Sequence, residues 1–175
     1  MQIKNIFCDL DGVLVDLNTG YKEATGMELS EADQYYNYDH DLFWEKPKQD
    51  PEFWINLPKM VDADVLTKYL DDVRHGWFHV FVLSAAVKDY RTCSTQKRTW
   101  VIKHTNFSAE YVHIVRRSEK KLFATSKGKP NLLIDDYQKN IDEWEAAGGV
   151  GIRYEPGRNI HHVLNQIELL KMKGA

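Results

Sequence analysis

Short apolar runs alternate with amphipathic stretches along most of the chain. Ile3 to Cys8 is apolar and stops at Asp-Leu-Asp-Gly; Trp77 to Leu83, Tyr111 to Val115, Asn131 to Ile134 and Val150 to Tyr154 are further runs of this kind. Such brief apolar stretches predict strands buried on both faces, as in a mostly parallel sheet. Between them the period changes. In 63–74, Val65, Leu66, Tyr69, Leu70 and Val73 fall on one helical face, and Gly76 stops the pattern. In 137–147, Ile141 and Trp144 share a face before Gly148-Gly149. The stripe Ile160, Val163, Leu164, Ile167 and Leu170 predicts a helix over 159–172, and a less periodic one runs from about Thr95 to His104. The βαβ succession predicts a doubly wound α/β fold.

Residues 18–60 break this rhythm. Aromatic residues (Tyr21, Tyr35, Tyr36, Tyr38, Phe43, Trp44, Phe53, Trp54) stand there among acidic residues and the prolines Pro47, Pro51 and Pro58, with no strand pattern. The segment predicts a small helical cap, inserted after the first strand over the carboxyl ends of the core strands, where open α/β sheets bind ligands. The expected division is an α/β core of residues 1–17 and 61–175 with a cap of residues 18–60.

Bulk properties narrow the setting. A length of 175 residues suits one domain with a small insertion. With 43% hydrophobic and 28% charged residues the composition is that of a soluble globular protein. A formal net charge of −3 argues against a stable nucleic-acid partner or an anionic membrane surface, although the cluster Arg116, Arg117, Lys120 and Lys121 is a local candidate for phosphate. Cys8 and Cys93 lack metal or redox spacing, and neither a signal peptide nor a membrane-length apolar run is visible. The expectation is a cytoplasmic protein; the oligomeric state is left open, a homodimer among the options.

Chemistry concentrates at strand ends. Asp9-Leu10-Asp11-Gly12 follows the first strand directly, and Gly12 permits a tight turn that aims both carboxylates at one bound group. One carboxylate can attack phosphorus to form an aspartyl-phosphate, and the other can protonate the leaving oxygen and then activate water. Asp-Gly is also ordinary turn chemistry, so the tetrapeptide does not stand alone. Leu132-Leu133-Ile134-Asp135-Asp136 is a second strand ending in paired acids, of which Asp136 could instead cap a helix. Two carboxylates about 4 Å apart repel by on the order of 4 kcal/mol at an effective dielectric near 20. A hard cation relieves that repulsion, and Mg²⁺ fits a site of carboxylates and phosphate. Val82-Leu83-Ser84-Ala85 ends a third strand in a hydroxyl, which with the backbone N–H groups around Ala85 could bind phosphoryl oxygens. Lys120 and Lys121, before the fourth strand, could neutralise them.

Taken in order, these four segments resemble the haloacid dehalogenase-like superfamily, and Phe7-Cys8-Asp9-Leu10-Asp11-Gly12-Val13-Leu14-Val15-Asp16 is similar to its phosphatase members. Dehalogenases lack the second Asp of that motif. The chain looks most like the 5'(3')-deoxyribonucleotidases, which have a small helical cap, a segment similar to Pro51-Glu52-Phe53-Trp54-Ile55-Asn56-Leu57-Pro58 and another similar to Trp100-Val101-Ile102-Lys103-His104. It departs from them in the longer stretch between Lys120 and Asp135, which holds Ser126-Lys127-Gly128-Lys129-Pro130. The resemblance implies Asp9 as nucleophile and Mg²⁺ ligand, and Asp11 as general acid/base with its carbonyl on the metal. It implies Ser84 and Lys120 on the phosphoryl oxygens, Lys120 being preferred to Lys121 because it follows an acid. Asp135 or Asp136 would complete the metal site. The substrate implied is a small nucleotide, whose base Phe43, Trp44, Phe53 and Trp54 could stack upon, at least half of them serving the cap's own core instead. Phosphatases of sugar phosphates or nucleic-acid ends, and an inactive binding protein, are the rival readings.

Other polar groups are expected to be structural. His161-His162 falls on the last helix, Asp39-His40-Asp41 reads as a cap loop, Cys8 turns away from Asp9 into the core, and Lys97 and Arg98 read as a solvated helix face.

Overall fold

Each of the five apolar runs becomes a strand of one parallel sheet. The computed structural model describes residues 3–174. Its elements in chain order are β1 (Asn5–Cys8), α1 (Leu17–Thr25), α2 (Leu29–Tyr35), α3 (His40–Phe43), α4 (Glu45–Gln49), α5 (Ala63–Arg74), β2 (His79–Ala85), α6 (Cys93–His104), β3 (Val112–Val115), β4 (Thr125–Ser126), β5 (Lys129–Pro130), β6 (Leu132–Asp135), α7 (Gln138–Ala146), β7 (Val150–Arg153) and α8 (Ile160–Gly174). A 3-10 stretch, Arg117–Phe123, links β3 to β4. The sheet order is β3-β2-β1-β6-β7, with Phe7 of β1 in register with Phe81 on one side and Leu133 on the other. This is the doubly wound α/β fold that the alternation predicts.

Strand alternation divides the core between the two faces. Ile6, Cys8, Val80, Val82, Leu132 and Ile134 pack on one side with Leu66 and Leu70 of α5, Trp100 and Val101 of α6, and Val163 and Ile167 of α8. Phe7, Leu83 and Leu133 face the other side, against Ile141 and Trp144 of α7. Removing one of these fully buried leucines to alanine would cost about 2–5 kcal/mol. On α5 the buried stripe is Ala63, Leu66, Leu70 and Val73, narrower than the pattern suggests, and Val65 is exposed on its flank.

The chain leaves the core after β1 and comes back beside its point of departure. Asp16 N donates to Pro58 O and Met60 N to Leu14 O, both at 2.9 Å. Between them α1–α4 enclose a small aromatic core, in which Tyr21 stacks on Phe43 at 4.6 Å and Trp44 meets Trp54 at 5.5 Å. Three contacts dock this helical segment near the ends of β2 and α6. Trp54 N donates to Gln96 Oε1 (2.9 Å), Trp100 Nε1 to Leu57 O (2.8 Å) and Tyr90 Oη to Pro47 O (2.8 Å). Among the described residues no helix is long and apolar enough to cross a membrane.

Candidate active site

The turn after β1 splits two carboxylates between neighbouring crevices. Asp9 N still donates to Ile134 O (2.8 Å), and the N–H groups of Val13, Leu14 and Val15 then converge on Leu10 O. Gly12 sits at φ +77°, in the left-handed region that favours glycine. A Cβ there would also stand 2.1 Å from Asp136 Oδ2, so any side chain would push into the acidic cluster. The turn leaves Asp9 between β1 and β6, where the strand order changes direction, and Asp11 on the β2 side.

Around Asp9 the charges are crowded and buried. One carboxylate oxygen from each of Asp9, Asp135 and Asp136 lies within 4.8 Å of the others. Lys120 Nζ bridges Asp9 Oδ2 and Asp135 Oδ2, at 2.8 Å each. Asp135 is fixed further by Tyr137 N (2.9 Å) and by Asn140 Nδ2, which reaches both of its oxygens at 3.1 and 3.0 Å. Burial, then Asp135, pushes the Asp9 carboxyl well above the ordinary aspartate range, with Lys120 opposing. The same two causes push Asp136 up to about 7. Burial by itself would lower Lys120, but Asp9 and Asp135 outweigh it and hold the ammonium above its usual value. Fully ionised, the three carboxylates would outnumber the one ammonium by two charges in a largely buried site. That surplus fits a divalent cation with oxygen ligands.

The β2 side is built differently. Asp11 Oδ2 accepts from Ser84 Oγ (3.3 Å) and pairs with Lys97 Nζ. The ammonium also reaches Ser84 Oγ at 3.1 Å and Ala85 O at 2.6 Å, and it lies 4.2 Å from the centre of the Trp54 ring. Beside this group opens a cavity of about 740 Å³, walled by Asp11, Ala85, Lys97, Leu17, Trp44 and Trp54, with His40, Lys88, Arg116 and Arg117 also on its lining. Arg117 is held in place by Glu143 at 3.1 and 3.2 Å.

No protein-family model matches the chain, and no curated protein matches its sequence. Solved structures do. A hydrolase of Pseudomonas syringae superposes with a TM-score of 0.58 at 17% identity, covering 95% of this chain and 99% of its own. A HAD-family enzyme of Bacteroides thetaiotaomicron, in complex with magnesium and inorganic phosphate, gives 0.55 at 17% identity over 92% and 98% of the two chains. A hydrolase of Streptococcus pneumoniae gives 0.52 at 16%, over 94% and 100%. The chain has the HAD-family fold. Identities this low carry the fold and not the chemistry.

The expected site residues do not all meet. Asp9, Asp135, Asp136 and Lys120 form one cluster, while Asp11, Ser84 and Ala85 lie in the neighbouring one. Lys121 is exposed outside both. The extra residues between Lys120 and Asp135 form a hairpin of β4 and β5 about a two-residue turn, with Lys127 at φ 50° and Gly128 at φ 74°, so β6 still ends at Asp135. Trp44 and Trp54 face the cavity, whereas Phe43 and Phe53 are buried in the helical segment without lining it. His161 and His162 are exposed on α8, and Asp39 caps α3 through Asp41 N and Leu42 N.

Lys97 corrects an expectation outright. It is not on a solvated face: its relative exposure is 1%, because Asp11 pairs with its charge and the Trp54 ring covers its ammonium. Its neighbour Arg98 is half-buried, donating to Ala109 O and Val112 O. A signal existed. Cys93, Gln96, Lys97, Trp100 and Val101 form an i, i+3, i+4, i+7, i+8 stripe that includes two polar residues, and all five are buried. Asn140 was missed for the same reason, as it stands beside Ile141 on the buried face of α7.

Proposed function

We propose that the protein is a Mg²⁺-dependent phosphomonoesterase acting on nucleoside monophosphates, in the manner of the 5'(3')-deoxyribonucleotidases it resembles. The observation that carries this reading is the excess of buried carboxylate at the β1/β6 crevice next to a cavity far larger than a phosphate needs. Asp9 attacks phosphorus and becomes the aspartyl-phosphate; Asp11 gives a proton to the leaving oxygen and then takes one from water. Ser84, the N–H groups near Ala85, and Lys120 hold the phosphoryl oxygens. Asp9, Asp135 and Asp136, with the Asp11 carbonyl, would hold Mg²⁺, which supplies charge neutralisation between these carboxylates and the phosphoryl group. Residues 18–60 act as the cap over this edge. The magnesium and phosphate bound by the Bacteroides enzyme support the reading by analogy of fold.

The cavity favours a nucleotide over a sugar phosphate. Its aromatic wall of Trp44 and Trp54 suits a flat base, worth about 1–3 kcal/mol per stack, whereas a sugar needs polar partners for its hydroxyls. The test is a panel of nucleoside 5'- and 3'-monophosphates, hexose phosphates and 3'-phosphorylated oligonucleotides, each with and without Mg²⁺. Mononucleotides should be cleaved most efficiently, and only with the metal. A preference for hexose phosphates would replace the substrate assignment, and absence of turnover on every ester would end the phosphatase reading.

A further inference from the structure

Lys97 has more bonds than a solvated lysine. Its three ammonium protons are used on Asp11 Oδ2, Ser84 Oγ and Ala85 O, with the Trp54 face closing the remaining side. Asp11 Oδ2 is therefore held twice, by Lys97 and by Ser84. Asp11 Oδ1 is buried and has no hydrogen-bond partner among the described residues, so the carboxyl group of this cavity-lining residue is oriented through Oδ2 alone. A buried lysine is an expensive way to fill space against a tryptophan, and an apolar side chain of similar length would pack there without desolvating a charge.

We infer that Lys97 is a positioning residue which, with Ser84, clamps Asp11 by Oδ2 and so fixes the orientation of the carboxyl group that carries the proton in both halves of the reaction. The inference rests on the phosphatase reading above. In the first half a bond forms between Asp9 and phosphorus and the bond to the leaving oxygen breaks. The electron pair stays on that oxygen, which takes the proton from the Asp11 carboxyl group. In the second half water bonds to phosphorus and gives its proton to the Asp11 carboxylate. The Asp9–phosphorus bond breaks with its pair returning to the carboxylate, so ester and water become alcohol and phosphate. Lys97 touches neither the phosphoryl group nor the leaving group in this scheme. It sets the direction in which the Asp11 carboxyl group is held.

That division of roles is testable, because a leaving group that needs no proton should not notice Lys97. Phenyl phosphate and 2,4-dinitrophenyl phosphate present the same phosphoryl group on similar rings, and only the phenolate of the first benefits from protonation. With the full chain and Mg²⁺, single-turnover cleavage of phenyl phosphate should fall about a hundredfold in Lys97→Met, within the range for losing general acid catalysis. Release of dinitrophenolate should change by less than about threefold, and the phosphorylated protein should accumulate because its hydrolysis also needs Asp11. Lys97→Arg, which keeps a cation beside Asp11, should recover part of the loss. Melting and circular dichroism check the fold, and Lys97→Gln carries the same comparison if the Met variant is unfolded. Equal losses on the two esters would overturn the inference, since they would mean that Lys97 binds the phosphoryl group or merely supports the fold. A wild-type protein that cleaves neither ester would instead overturn the phosphatase reading, and this inference with it.

Discussion

The two crevices beside β1 contain the same kinds of groups in different ratios. On the β6 side Asp9, Asp135 and Asp136 share one ammonium, that of Lys120. On the β2 side Asp11 has an ammonium of its own, that of Lys97, and a hydroxyl besides. A three-to-one ratio cannot be neutral without a further cation or a retained proton, which is why Asp9 and Asp136 are displaced upward. The one-to-one pair needs nothing more. Residues two apart in one turn thus sit in different electrostatic settings, and in the proposed reaction Asp9 would carry the charged intermediate while Asp11 would transfer the proton.

The largest effect that this comparison predicts is at Asp9. Asp9→Asn should lower turnover by on the order of 10⁴-fold or more and abolish phosphorylation of the protein, as expected for a nucleophile. Substantial activity in that variant would mean that the β6 side is structural. Next in size is Lys120. Its removal in Lys120→Gln leaves buried carboxylates without their shared partner, which should cost about 3–5 kcal/mol in denaturant unfolding without metal. Lys121→Gln, one residue away on the surface, should stay within about 0.5 kcal/mol.

A third pair of experiments tests the charge surplus itself. Mg²⁺ at about 100 times its dissociation constant should stabilise the wild type by about 2.7 kcal/mol, and do far less for the Asp135→Asn, Asp136→Asn double variant. The pH dependence without metal follows from Asp136, displaced from 3.8 to about 7. Between those values this group binds more protons in the folded protein than in the unfolded chain, so its contribution to stability is fully present below the lower value and is lost as pH rises through the upper one. Added Mg²⁺ should release protons on binding and flatten that decline. A wild type whose metal-free stability rises from pH 5 to pH 8 would contradict the crowded-carboxylate picture.

The same comparison shows what a sequence can reveal. The β6 side was legible because its carboxylates end apolar strands, where the direction of the chain fixes their place: Asp9 after Cys8 and Asp135 after Ile134. The five strands of the parallel sheet followed from their apolar runs, and the helices α5, α7 and α8 from their period, within a few residues. Lys97 was not legible in that way. Its burial depends on Trp54, 43 positions earlier in the chain, and on Asp11, |i−j| 86 away, neither of which leaves a mark in the local pattern. What did lie in the sequence was the stripe from Cys93 to Val101, whose period places positions 96 and 97 toward the core. Polar residues on an apolar stripe are a stronger signal than their neighbours' charge. The aromatics of residues 18–60 were separable only in three dimensions, because Phe43 and Trp44 are adjacent in sequence yet, of the two, Trp44 alone lines the cavity.

That last separation yields the smallest predicted effect and bears on substrate choice. Trp44 lines the cavity, while Phe53 is buried nearby without lining it, so the two rings make a matched contrast. Trp54 is a poorer probe because its ring also covers Lys97. Replacing Trp44 with Leu keeps apolar bulk but removes the flat face, and should lower efficiency on a nucleoside monophosphate by about tenfold, equivalent to about 1.4 kcal/mol or one modest stack. The same variant should cleave a small ester without a base, such as methyl phosphate, within about twofold of wild type. Phe53→Leu should lower the melting temperature and treat both substrates alike, since it loosens the aromatic packing around Trp54 (5.2 Å between ring centres) without changing the cavity wall. If Trp44→Leu loses efficiency equally on both esters while remaining folded, the β2 side offers no surface for a base. The nucleotide assignment would then lose its physical support, even with the phosphatase chemistry of the β6 side intact.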